Sequence, residues 1–103
     1  MSADEVFDEL AADLVERGAR QGRMMGRPML STGGRMFACL NAGALGLKLG
    51  ESSREHAEAL AIPGAGLFSP AKGRIFRDWV SLPLTASDDW ERFAVIAMDR
   101  LQA

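Results

Sequence analysis

The sequence predicts an α+β domain in which helices pack on an antiparallel sheet. Three observations support this class: one amphipathic helical pattern opens the chain, another closes it, and short apolar runs separated by turn residues lie between them. The chain has 103 residues, of which 48% are hydrophobic and 25% charged, as is usual for one domain with its own core. We therefore expect residues 1–103 to form a single domain.

The first helix is predicted over residues 4–17. Apolar residues follow a helical spacing from Val6 onward, and carboxylates occupy the first turn, where they complement the helix dipole. Gly18 follows the last apolar position and is a typical helix stop.

Three strands joined as a meander are expected next. Residues 24–30 include a glycine and a proline, which favours an irregular edge strand. A turn at 31–34 leads into a strand over 35–40, and a turn at 41–43 leads into a strand over 45–49. In that third strand leucines alternate with Gly46 and Lys48, a pattern typical of a strand with one solvated face.

The second half of the chain predicts a helix followed by two strands. Ser52 and Glu55 have the spacing of a capping box, and the helix must end near Ile62 because Pro63 follows it. Leu67 and Phe68 then indicate a short strand. Residues 69–73 are expected to form a loop, and residues 74–82 a second strand.

A last helix carries the clearest apolar stripe of the chain, and Thr85 or Ser87 is expected to cap it. The stripe consists of Trp90, Phe93, Ala94, Ala97, Met98 and Leu101. The predicted order is therefore helix, three strands, helix, two strands, helix.

Composition narrows the classes of function. A net charge of −2 gives no global attraction to nucleic acid or acidic lipid, and the single cysteine, Cys39, excludes an internal disulfide or a zinc site built on several cysteines. The acidic N-terminus does not resemble a signal peptide, and no run approaches the ~20 apolar residues of a membrane span. We expect a cytoplasmic protein that binds no cofactor, metal or membrane.

Individual residues offer little catalytic chemistry. His56 is the only histidine, and the sequence indicates no partners that would make it a metal ligand or general base. Cys39 lies in an apolar strand, which favours a small buried side chain over a nucleophile. The glycines at 33–34 and 43–46 lack the pattern of a phosphate-binding loop and indicate turns and close packing. No catalytic, cofactor or metal residue is predicted, and binding residues are left unassigned.

Charge order and methionine content suggest two surfaces. Residues 3–16 contain six acids and no base, whereas residues 17–50 contain no acid and six bases: Arg17, Arg20, Arg23, Arg27, Arg35 and Lys48. Such a basic region fits contact with phosphates, although Arg17 and Arg20 could instead pair with the acidic first helix. Four of the six methionines fall between positions 24 and 36. Clustered methionines either fill gaps in a core or form an adaptable binding surface.

The strand at 35–40 leaves two placements open. Strict alternation puts Met36, Ala38 and Leu40 on one side and Phe37 and Cys39 on the other, so both faces are apolar. If Phe37 lies beyond the helices, it marks an association site whose simplest occupant is a second copy in a two-fold dimer. If a helix crosses behind it, Phe37 belongs to the core.

Several short motifs, in order, resemble the N-terminal domain of the TfoX (Sxy) competence-regulator family. They are Met24-Met25-Gly26-Arg27-Pro28, Gly34-Arg35-Met36-Phe37-Ala38, Leu45-Gly46-Leu47-Lys48-Leu49, Pro63-Gly64-Ala65, Gly73-Arg74, Leu82-Pro83 and the helix containing Trp90. The resemblance covers nearly the whole chain and implies a sheet with helices, similar to the secretion-chaperone-like fold, without an active site. The family's regulators carry a second, C-terminal domain, whereas residues 1–103 resemble the N-terminal domain alone. We therefore expect a stand-alone relative of that domain.

The expected function is thus a non-enzymatic regulatory or protein-binding module, acting on a protein partner or by self-association. The alternative is a nucleic-acid-binding accessory domain that uses the arginine-rich strands.

Overall fold

An antiparallel sheet of six strands with three α-helices makes up residues 1–102, which are the residues that this computed structural model describes. The elements are α1 (Ala3–Glu16), β1 (Arg20–Met24), β2 (Arg27–Thr32), β3 (Arg35–Asn41), β4 (Ala44–Lys48), α2 (Arg54–Leu60), β5 (Gly66–Ala71), β6 (Arg74–Leu82), a 3-10 segment (Leu84–Asp89) and α3 (Trp90–Gln102). The strand order is β1-β2-β3-β4-β6-β5, with every neighbouring pair antiparallel. The predicted α+β class and the alternation of helices with strands are confirmed.

Helix α1 begins one residue before its predicted start because Ser2 caps it. The Ser2 hydroxyl accepts a hydrogen bond from the backbone N–H of Glu5 at 3.2 Å, and the Glu5 carboxylate accepts one from the Ser2 N–H at 2.9 Å. This reciprocal pair satisfies two N–H groups that a helix otherwise leaves free. The hydrogen bond that the Glu5 carboxylate accepts from the Ser2 backbone N–H lowers the pKa of that carboxyl below its usual value, and hydrogen bonding with the Ser2 side chain lowers it further.

The first group of strands contains four members, because the stretch predicted as one irregular edge strand is divided. Met25 and Gly26 both have positive φ angles, 51° and 82°, and form the two-residue turn that joins β1 to β2. Two consecutive left-handed residues produce the tight turn whose twist matches that of paired strands. The glycine and the proline of this stretch therefore mark a hairpin rather than an interrupted strand.

One face of the sheet packs against the helices and forms the larger core. Its fully buried large side chains include Phe7 and Leu14 of α1, Leu45 and Leu47 of β4, and Trp90 of α3. The indole Nε1–H of Trp90 donates a hydrogen bond to the carbonyl oxygen of Pro83 at 3.1 Å. The aromatic ring is thus buried while its one polar group is satisfied.

A β-bulge in β3 decides which side chains enter this core. Leu30 pairs with Ala38 and Ser31 pairs with Met36, so Phe37 is an extra residue without a partner in β2. Phe37 consequently lies on the same side as Ala38, fully buried beneath the helices. The side assignment from strict alternation is wrong for this reason, and the placement of Phe37 in the core is the correct alternative.

The other face of the sheet is covered by the β5–β6 hairpin. The ring of Phe68 lies directly over Gly46 of β4, where a side chain would collide with it. Phe68, Cys39 and Trp79 form a second buried cluster, and Met24, Met29, Met36 and Phe76 pack around it. The solvated face predicted for β4 is therefore wrong, because the chain's own hairpin covers it.

Three local boundaries differ from the prediction. Ser53, not Ser52, caps α2, with its hydroxyl accepting from the N–H of His56 at 3.0 Å. Strand β5 continues through Pro70, although the sequence predicts a loop there. Neither Thr85 nor Ser87 caps α3, because the 3-10 segment runs directly into it.

None of the helices in residues 1–102 has the length and apolar content that crossing a bilayer requires.

Replacing Trp90 by alanine is expected to lower the free energy of unfolding by about 3–5 kcal/mol, because it empties the largest buried site of the helix-side core and removes the hydrogen bond to Pro83. Domains of this size have total stabilities of about 5–15 kcal/mol, so the change is measurable by denaturant titration. A loss below about 1 kcal/mol would contradict the burial of Trp90.

The contact between Phe68 and Gly46 gives a second stability prediction. Gly46→Ala is expected to cost about 1–3 kcal/mol, because the added methyl group collides with a ring that the core holds in place. Gly66→Ala is the matched control, since no atom lies within 4 Å of the position that its methyl group would take, and it should change stability by no more than about 1 kcal/mol. Equal effects of the two substitutions in thermal unfolding would show that Phe68 does not press on β4.

Candidate binding surface

The turns of two hairpins meet at one end of the molecule, beside the second core. A guanidinium N–H of Arg27, at Nη2, donates a hydrogen bond to the carbonyl oxygen of Pro70 at 2.9 Å, joining β2 to β5 across 43 residues of sequence. Nearby, the amide of Asn41 donates to the carbonyl of Ser69 at 3.4 Å. We call this region, residues 24–27 and 70–76, the hairpin end.

A small slot opens between the two hairpins. Its volume is 160 Å³, and its walls are mainly apolar. The lining residues are Met24, Met25, Arg27, Pro70, Ala71, Arg74 and Phe76. This set contains methionine, proline and phenylalanine surface with two guanidinium groups, and it contains no carboxylate.

The two arginines of the slot have no acidic partner. Ion pairs within 4.0 Å in residues 1–102 are limited to Arg54 with Glu55 and Arg92 with Asp89, which all lie on or beside helices. The guanidinium carbon of Arg74 lies 5.6 Å from the centroid of the Phe76 ring. Both positive charges of the slot are consequently available to an anionic ligand.

Acidic side chains are nearly absent from the sheet. Among the described residues the strands contain a single acid, Asp78, and its carboxylate accepts a hydrogen bond from the N–H of Glu51 at 2.9 Å. The same strands contain Arg20, Arg23, Arg27, Arg35, Lys48, Arg74 and Arg77. The other acids lie on helices, on the 3-10 segment or in the connection before α2.

Carboxylates crowd on the helical side of the molecule. A hydrogen bond with the side chain of Asp13 raises the pKa of the Glu91 carboxyl, and partial desolvation and the negative charge of Asp13 raise it further. These two residues line a cleft between α1 and the start of α3 that also contains Glu9 and Asp88. Carboxylates are therefore concentrated on α1 and around the start of α3.

Large apolar side chains are exposed at the hairpin end. Met25 is 87% exposed at the turn between β1 and β2, and Ile75 is 57% exposed beside the turn between β5 and β6. Exposed apolar groups next to unpaired cations are typical of surfaces that bind a partner. The other clustered methionines, Met24, Met29 and Met36, pack against the second core, so only Met25 of this cluster points fully outward.

The arginines of the acid-free stretch do not converge. Arg27 reaches the slot, but Arg23 lines a cleft of 460 Å³ together with Asp4 and Asp8 of α1. Arg35 is exposed at the start of β3. Neither Arg17 nor Arg20 forms an ion pair with α1 within 4.0 Å among the described residues, so the pairing considered for them is not formed.

His56 and Cys39 have structural roles. His56 is 4% exposed, and its ring Nε2 lies 2.8 Å from the carbonyl oxygen of Arg77; since a carbonyl only accepts, Nε2–H is the donor. This hydrogen bond holds α2 against β6. Burial raises the pKa of the Cys39 thiol, although the positive charge of Arg27 opposes the shift. No group of three or more histidine, cysteine, aspartate or glutamate residues that could hold a metal ion occurs in residues 1–102.

The sequence pattern does not reveal half of the slot. It predicts a loop at Pro70 and an ordinary strand at Arg74 and Phe76, although these residues lie in a second acid-free stretch, residues 59–77. The basic residues of that stretch are a signal that could have identified the β5–β6 hairpin as part of a positive surface. Its meeting with Arg27, however, depends on a contact between distant parts of the chain.

No protein-family model matches the chain, and neither a curated protein nor a solved structure matches it.

The burial of Cys39 predicts an unreactive thiol. Because desolvation raises its pKa, the reactive thiolate is scarce near neutral pH, and alkylation by iodoacetamide should be far slower in the folded protein than in denaturant. As the pH rises toward the ordinary thiol pKa, alkylation of the unfolded protein should accelerate at a lower pH than alkylation of the folded protein. The reason is that the Cys39 pKa is higher in the folded protein than in the unfolded protein. Rapid labelling of the native protein, followed by mass spectrometry, would contradict this burial.

Proposed function

We propose that this chain is a non-enzymatic protein-binding module, related to the N-terminal domains of the TfoX family, and that it binds its partner through the hairpin end. The observation that carries the proposal is the slot, in which two guanidinium groups without acidic partners flank apolar surface. Exposed Met25 extends this surface outward.

The chemistry of the slot supports binding rather than catalysis. Arginine offers charge-assisted hydrogen bonds, and methionine, proline and phenylalanine offer contact area. None of these side chains acts as a nucleophile or as a general acid or base near neutral pH. His56 and Cys39 are buried as part of the packing, and neither lines the slot.

The relation to the TfoX family is supported by the element order. The resemblance implies a sheet with accompanying helices, and the alternation of helices and strands agrees with that expectation. Two stretches that carry the resemblance also have definite structural roles: Met25-Gly26 forms the β1–β2 turn, and Gly46 receives the ring of Phe68. A regulatory role through protein contact is the function that such a domain would serve.

Binding of nucleic acid is the second candidate, and the excess of cations on the strands favours it. Sequence-tolerant binding of single strands normally adds exposed aromatic side chains on which bases stack. Here Phe68 and Trp79 are buried and Phe76 is half-buried, whereas the exposed groups between the cations are aliphatic or methionine. This composition fits a protein partner better.

The test is selection of ligands from a random peptide library displayed on phage, using the folded domain as bait. Selected peptides should bind at least about tenfold more weakly to the double variant Met25→Ser, Arg74→Glu, because it removes an apolar anchor and reverses a charge in the proposed interface. Both side chains are exposed, so the variant should keep the wild-type circular dichroism spectrum.

The matched control is Val15→Ser, Arg54→Glu, which changes an exposed apolar residue and an exposed arginine on helices. It should bind the selected peptides as the wild type does. Equal binding by all three proteins would place the interface elsewhere and overturn the proposal. Tight, salt-sensitive binding of single- or double-stranded DNA or RNA in fluorescence anisotropy, lost in the Arg74→Glu variant, would favour the nucleic-acid function instead.

A further inference from the structure

The slot has features that specify what part of a partner it accepts. Resting on the proposed function, we infer that it is a pocket for one large apolar side chain of a peptide that carries carboxylates next to that side chain. The partner would therefore present an acidic segment with a single phenylalanine- or leucine-like anchor.

The size of the slot limits its occupant. Sites for drug-sized ligands and cofactors usually have volumes of about 300–1,000 Å³. At 160 Å³ the slot is smaller and suits a single side chain. Its enclosure between two hairpins would remove most of that side chain from water, which is the source of an anchor's contribution to affinity.

The wall of the slot is supported from behind by the second core. The ring of Phe76 lies 5.8 Å from the centroid of Phe68 and 6.1 Å from that of Trp79. Phe68 and Trp79 are themselves buried. Such backing holds the apolar floor in place before a ligand binds, while Met24 and Met25 can adjust to its shape.

The charges at the slot select for carboxylates. Arg27 is half-buried and its link to Pro70 occupies one of its five donors, so the guanidinium is oriented while other N–H groups remain available. Arg74 lies on the opposite hairpin, over Phe76. Because the two arginines line the slot from different hairpins, a ligand with an acid on either side of an apolar residue matches the arrangement.

The edge of the sheet supports a peptide rather than a free acid. Strand β1 pairs only with β2, so its outer edge has unpaired backbone groups that can receive an added strand. β1 ends at Met24, in the wall of the slot, and the strand itself contains two arginines and no acid. An extended acidic peptide along β1 would bring its apolar residue to the slot.

The experiment is methyl NMR on protein labelled with ¹³C-methyl methionine, titrated with the peptide amide acetyl-Glu-Phe-Glu. We expect the methyl signals of Met24 and Met25 to shift, and those of Met98, buried in the helix-side core, and Met1 to remain unchanged. Acetyl-Glu-Ala-Glu and acetyl-Lys-Phe-Lys amides should give at least about fivefold weaker binding, since each lacks one of the two recognised features.

Substitution separates specific recognition from general attraction of charge. Arg74→Gln should weaken binding of acetyl-Glu-Phe-Glu about fivefold or more, whereas Arg54→Gln, at an exposed arginine on α2, should have no effect. Arg74 is exposed, so the Arg74→Gln substitution should leave the methyl signals of Met98 and Met1 in their wild-type positions.

The outcomes of the two tests are distinguishable. If phage-selected peptides need the hairpin end but acetyl-Glu-Phe-Glu shifts neither Met24 nor Met25, or binds no better than its controls, the inference falls and the proposed function stands. If the selected peptides bind independently of the hairpin end, the proposed function falls, and the inference with it. Shifts of the same two signals by a DNA oligonucleotide alone would overturn both.

Discussion

The packing of Phe68 on Gly46 is the contact on which the rest of the structure depends. Because residue 46 has no side chain, the ring can lie directly on β4 and draw the β5–β6 hairpin over the second face of the sheet. The pairing of these strands adapts to this bend: Leu67 pairs with Val80, but Phe68 pairs with Phe76, so three residues of β6 have no partner in β5. The same closure brings Pro70 to Arg27 and thereby creates the slot.

A second irregularity assigns side chains to the two faces. The bulge at Phe37 places two consecutive residues of β3 in the helix-side core, so Met36 and Cys39 lie in the second cluster. A regular strand would have placed the large ring of Phe37 beside Phe68, where the cluster already contains two other aromatic rings. The bulge thus places the ring of Phe37 in the helix-side core and leaves the second cluster to the other aromatic rings. Protein interiors are densely packed, so an additional ring in the second cluster would have to displace other side chains.

The sequence predicted those features that depend on neighbouring residues. The two terminal helices follow from a 3.6-residue period, and the turns at 31–34 and 41–43 follow from their glycines. The bulge could not be predicted, since it exists only relative to β2, nor could the cover over β4, since it depends on Phe68, 22 residues further along the chain. The slot shares this origin: charge order identified Arg27, but Arg74 joins it only through the folded hairpin.

The distribution of charge is the feature that folding alone explains least. The strands contain seven bases and one acid, whereas most acids lie on or beside helices. A more even distribution would reduce repulsion such as that between Asp13 and Glu91, where the hydrogen bond with Asp13 raises the pKa of Glu91. Exposed ion pairs contribute about 0–1 kcal/mol each, so their absence at Arg27 and Arg74 costs the domain little stability. Two guanidiniums beside exposed Met25 do, however, leave an uncompensated field at one end of the molecule. A field of this kind accelerates encounter with an acidic partner and repels a basic one, which supports recognition as the reason for the arrangement.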